Sequence, residues 1–234
     1  MLRNSVSFIR SNLWFFALVV VVESVLPWVI DFSRVAAILL SGVVLVADFV
    51  IAYLIYRRLL RRTPLNPFRK GAGIIPGEAV GFSLRSLAIE LISFALPLFV
   101  LLLVRLLPAP SVAGSIVLSI VGALAGAAFG ALVTACFGTW LPAYVYGRNP
   151  EFASVLKRWR ASFKILALRL VILDVSLAVF GLLLGGIVLA LPSSGMIWFY
   201  RIVSTPLETA TSLFATVYVA IALCQTYLTL EEIV

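Results

Sequence analysis

Three carboxylates, Glu23, Asp48 and Asp174, stand inside long apolar runs. At the centre of a bilayer such a group costs about 2.5–3.5 kcal/mol on insertion scales unless it is protonated, paired or hydrated. Counting 1.5 Å per residue from the expected cytoplasmic helix ends puts all three roughly 12–15 Å deep, near the middle of a core about 30 Å thick. They could therefore converge on one layer. One chemistry for them is a proton or cation site, with Ser24, Ser41, Ser176 and Tyr53 as candidate neighbours. The other is structural: each acid is neutral and hydrogen-bonded within the bundle, or meets a cation of a partner subunit. No basic residue of this chain is expected at that depth. Glu90 and Glu208 fall nearer the two surfaces, where they can reach the headgroups.

Few other chemistries are open to the chain. It has no histidine, which removes Ser-His-Asp triads, Cys-His nucleophiles, histidine-ligated haem and the usual zinc proteases. No glycine-rich loop ends in Gly-Lys-Ser/Thr, and Gly71 and Gly73 are too little for a phosphate cradle. Cys136 and Cys224 both lie in apolar segments and read as small apolar filler, not as a disulfide or metal pair. No catalytic residue, metal or cofactor is expected.

The elements that must position the acids follow from composition. Of 234 residues, 63% are hydrophobic and 12% charged, and the mean hydropathy is +1.16. A soluble domain is nearer half apolar and a quarter charged. Apolar runs over 13–30, 35–56, 87–107, 115–141, 165–191 and 209–230 are each long enough to cross a bilayer, which takes about 20 residues. The expectation is an all-α integral membrane protein, one polytopic domain over 1–234, with six transmembrane helices as three antiparallel hairpins. The first run copies a secretory signal after Arg3 and Arg10, but Glu23 and Pro27 and the lack of a small-residue cleavage site favour a retained helix.

Orientation follows from the basic residues, because Lys and Arg near helix ends stay on the cytoplasmic side. With the N-terminus inside, the cytoplasmic segments hold Arg3 and Arg10, then Arg57, Arg58, Arg61, Arg62, Arg69, Lys70 and Arg85, then Arg148, Lys157, Arg158, Arg160, Lys164 and Arg169. Only Arg34, Arg105 and Arg201 fall outside. Both termini are thus expected in the cytoplasm. The net charge of +8 reports this topology and not nucleic-acid binding.

Asn149, Pro150 and Glu151 make a helix-start signal. The short amphipathic helix expected after it sets Phe152, Val155, Leu156, Trp159 and Phe163 on one face and basic residues on the remainder. It reads as a surface-lying element before the fifth span, with Lys157, Arg158, Trp159 and Arg160 at the lipid headgroups; docking to a partner protein is the alternative. Gly122, Gly126 and Gly130, continued by Ser119 and Thr134, form a small-residue row that lets another helix approach closely, within the chain or from a second copy. Met196, Ile197, Trp198, Phe199 and Tyr200 suit an interfacial turn on the outer side. A weak internal repeat sets Leu84-Arg85 and Ile89-Glu90 beside Leu168-Arg169 and Leu173-Asp174.

Three features together resemble a superfamily of bacterial six-helix inner-membrane proteins: the stretch from Asn149 to Asp174 with Leu156-Lys157-Arg158-Trp159-Arg160, the Tyr-containing last span, and Tyr56-Arg57-Arg58-Leu59-Leu60-Arg61 after the second. That superfamily includes the YciC-like proteins and the membrane domain attached to glycerophosphodiester phosphodiesterases. The resemblance implies the fold and a multi-pass place in the bacterial cytoplasmic membrane. It carries no activity and no catalytic residue, and the phosphodiesterase domain is absent from this chain. The functional expectation is a non-enzymatic scaffold or accessory subunit that packs against membrane proteins or lipids; the alternatives are a small transporter or channel using the three acids, and a lipid-modifying enzyme, for which no nucleophile is visible.

Overall fold

The computed structural model describes residues 1–30, 34–65, 74–106, 112–147, 151–192 and 198–233, with backbone alone at 26–30, 34–41, 96, 100–101, 103–106, 112–113, 115 and 232–233. The expected turns at 31–33 and 108–110, Arg69, Lys70, Gly71, Gly73, Arg148, Asn149, Pro150, Met196, Ile197 and the side chains of Arg34, Ser41 and Arg105 lie outside it. The described residues are helical throughout, apart from short links. In order they form α1 (Leu2–Ser11), α2 (Leu13–Ile30), α3 (Arg34–Arg61), α4 (Pro76–Leu106), α5 (Val112–Phe137), α6 (Trp140–Tyr146), α7 (Phe152–Ala190), a π-helical turn (Tyr200–Ser204) and α8 (Thr205–Ile233).

Among the described residues, four helical stretches are long and apolar enough to cross a membrane: Pro76–Phe99, Ile116–Tyr146, Phe152–Ala190 and Tyr200–Glu231. A fifth is added if Leu2–Ser11 and Leu13–Val25, bent by 85°, count as one span. At the bend the Asn12 side-chain Nδ2 donates to the Phe8 carbonyl at 2.9 Å, and Phe8 meets Phe16 edge-on. Large apolar side chains cover much of the surface; Trp14, Leu168 and Leu189 are 89%, 72% and 79% exposed. A surface of this kind is stable against lipid and not against water.

Backbone packing divides the chain into two compact units. The first comprises Met1–Ser83 and Leu184–Cys224. Its core has Tyr53, Ile55, Tyr56, Phe82, Val217 and Leu223 buried, with the Phe82 ring 5.8 Å from Tyr53 and 5.2 Å from Tyr56. The second comprises Leu84–Leu183 and Gln225–Val234. There Ala131, Ala135, Val145, Leu166, Leu170 and Tyr227 are buried.

The expected short amphipathic helix before the fifth span is not a separate element. Residues 152–190 form one helix, about 58 Å long at 1.5 Å per residue, nearly twice the hydrocarbon thickness. The physical reason is that no proline or glycine interrupts 152–180, so nothing ends the helix between its basic and apolar parts. It starts where the Glu151 carbonyl accepts from the Ser154 amide at 3.0 Å. Its inward face also differs from the apolar stripe read from the sequence. Val155, Arg158, Ser162, Leu166 and Leu170 are buried, whereas Phe152, Leu156 and Trp159 are exposed. With lipid as solvent the apolar stripe can face outward, and polar groups gain by turning in toward partners.

Candidate functional site

Glu23 is placed by α2 and Asp48 by α3, and the two carboxyl groups are neighbours, with Thr209 of α8 beside Glu23. Asp48 is exposed at the edge of the pair and Glu23 half-buried, with exposed Val43, Leu45 and Val46 on the same helix as Asp48. The expected hydroxyl neighbours are engaged elsewhere. Ser24 donates to the Val20 carbonyl and Ser176 to the Ile172 carbonyl, both at 2.6 Å, in the back-bonding that spares a helical serine an outside partner. Tyr53 donates to Glu78 at 2.7 Å.

Asp174, on α7, belongs to the second unit. It lines an open cleft of about 470 Å³ with Ser93 and Pro97 of α4 and Gly122, Gly126 and Gly130 of α5. The walls are almost wholly carbon, and among the described residues Asp174 has no hydrogen bond or ion pair. Pro97 lies inside α4 and removes a backbone donor there. A Cβ built on Gly126 would stand 2.9 Å from Pro97 Cγ, and one on Gly130 would stand 3.7 Å from Ser93 Cβ. One on Gly122 meets nothing within 4 Å. Two members of the small-residue row thus carry packing within the chain, and Gly122 stays open in the cleft.

A third set of polar contacts lies where the basic residues concentrate. In the first unit Glu78 accepts from Tyr53 and pairs with Arg61 at 2.6 Å, while Arg57 stacks 5.6 Å over the Tyr53 ring. In the second unit Arg85 lies 3.9 Å over Tyr144 and 5.2 Å over Trp140, a cation–π clamp on α6. Lys157, Trp159 and Arg160 are exposed. Arg158 is turned inward instead, 8% exposed, with Nη1 2.7 Å from Glu231 Oε1 and its guanidinium 5.3 Å over the Tyr227 ring.

Thr209, Glu78 and Glu231 were not among the residues singled out by sequence. Each is a partner reached across the fold, 186, 25 and 73 residues from Glu23, Tyr53 and Arg158 respectively (209 − 23, 78 − 53 and 231 − 158). No family model, no curated protein and no solved structure matches this chain.

Proposed function

We propose that the chain is a six-span protein of the bacterial cytoplasmic membrane, both termini inside, that acts as a non-enzymatic accessory subunit or scaffold. Its cleft between α4, α5 and α7 takes one transmembrane helix of a partner subunit. The observation that carries this reading is Asp174, an unpartnered carboxyl in a cleft with carbon walls and the open Gly122. A lipid tail would leave that carboxyl unpaired in hydrocarbon, whereas a helix bearing Lys, Arg, Ser or Thr supplies a donor and packs closely on glycine. The resemblance to bacterial six-helix membrane proteins and the lopsided basic links support the span count and orientation.

The test places a photo-crosslinking phenylalanine at Leu177, which lines the cleft. Adducts to a membrane protein that disappear in Asp174→Leu support the reading. Adducts to lipid alone overturn it.

A second reading, a small proton- or cation-coupled transporter, is favoured by the Glu23–Asp48 contact with Thr209. Proteoliposomes that conduct protons or alkali cations with wild-type protein and not with Glu23→Gln support it; flux equal in both rules it out.

A further inference from the structure

We infer that Arg158 is the anchor of a phosphate-binding site at the basic end of the second unit, independent of whether the Asp174 cleft takes a partner helix. Arg158 is more than nine-tenths buried, and only its Nη1 has a hydrogen-bond partner, Glu231. Its Nε and Nη2 atoms are both buried and have none. Those two nitrogens form one edge of the guanidinium, with parallel N–H groups spaced for two oxygens of a single tetrahedral anion or carboxylate. Buried donors are rarely left so, and a pair on one fork implies a missing bidentate acceptor.

The surroundings hold the fork in place. Tyr227 lies under the guanidinium at 5.3 Å, and Tyr146 meets Tyr227 edge-on at 6.1 Å, which fixes the plane in which the free edge points. Thr226, the residue before Tyr227, also buries a hydroxyl with no partner. Glu231 offsets the charge of Arg158, so the pull on an anion comes from exposed Lys157, Arg160 and Lys164 of α7. A second protein carboxylate would fit the fork, but the described residues bring only Glu231, already on the other nitrogen. A phosphate is an anion that a basic membrane face offers such a fork, from a phospholipid headgroup or from free phosphate.

Native mass spectrometry and thermal unfolding of the full-length purified chain distinguish these sources. Protein extracted from nanodiscs of phosphatidylcholine and phosphatidylglycerol should keep one bound phospholipid. Retention should fall roughly ten-fold or more in Arg158→Lys, which leaves a charge for Glu231 and has no fork. Arg3→Gln, which removes an exposed cation elsewhere, should retain lipid as wild type does. If the source is free phosphate, inorganic phosphate should raise the melting temperature of delipidated wild type, with no effect from chloride at equal ionic strength and none in Arg158→Lys. A wild type that neither retains phospholipid nor responds to phosphate overturns the site whatever the variants do. Equal retention and equal response in wild type and a folded Arg158→Lys overturn it as well.

Discussion

The Pro97 ring occupies the space where a side chain on Gly126 would begin: a Cβ there would lie 2.9 Å from Pro97 Cγ. The obstructing atom belongs to a rigid ring inside α4, so a backbone shift is needed to accommodate even a methyl group. Gly126→Ala should cost about 1–3 kcal/mol of stability by overpacking, and Gly122→Ala should stay within about 0.5 kcal/mol because nothing stands near it. Thermal unfolding of the two variants in detergent, followed by tryptophan fluorescence, checks this. Equal melting temperatures would show that α4 and α5 are not in the contact described.

The row of small residues was legible because its four-residue spacing is a local property. Which member bears the contact was not, since it depends on where Pro97 of another helix falls. The span expected from 13 starts where α2 does because the polar Asn12 stands just before the apolar run. The start of α7 was legible in the same way, through the helix signal at Glu151. Its continuity with the fifth span was not, because charge composition suggested a change of element where the backbone has no breaker. Arg158 was misplaced at the surface for a deeper reason. Helix patterning sorts residues by polarity, and with lipid as solvent polarity alone does not set which face turns inward. Its partner Glu231 lies 73 residues away, beyond any local pattern.

Tyr53, fully buried, donates a hydrogen bond from its hydroxyl to Glu78, which also pairs with Arg61. Removing the hydroxyl loses a hydrogen bond to a charged acceptor, so Tyr53→Phe should cost about 1.5–3 kcal/mol. Arg61 is 34% exposed, and solvent screening limits its share, so Arg61→Gln should cost under about 1 kcal/mol. Denaturant titration in mixed micelles gives the order. An Arg61→Gln loss as large as that of Tyr53→Phe would contradict the assignment of the buried bond as the stronger one.

Glu23 and Asp48 are neighbouring carboxyl groups, a contact that an amide can keep. Glu23→Gln and Asp48→Asn should each stay within about 1 kcal/mol of wild type, since a carboxamide offers both donor and acceptor. Asp48→Ala should cost more than Asp48→Asn, because it takes away the polar neighbour of the half-buried Glu23. A double-mutant cycle with Glu23→Ala should then give a coupling of at least about 0.5 kcal/mol. A coupling of zero would mean that the two carboxyls do not touch.

Arg158 and Glu231 are 9% and 15% exposed at their side chains, so their ion pair is a buried one. Removing one partner of such a pair strands the other charge, and Glu231→Ala should cost about 3–5 kcal/mol. Replacing both by apolar groups strands neither. Arg158→Met with Glu231→Leu should therefore be more stable than either single replacement, with Tyr227 closing on the methionine where the guanidinium had stacked. The phosphate site adds a condition. If an anion fills the free edge of Arg158, the stability of the double variant should not depend on phosphate or anionic lipid, and that of wild type should rise with them. Melting temperatures of wild type, both single variants and the double, each with and without phosphatidylglycerol, read both effects at once. Singles that lose less than the double would show that the pair contributes little and that neither charge is held away from solvent.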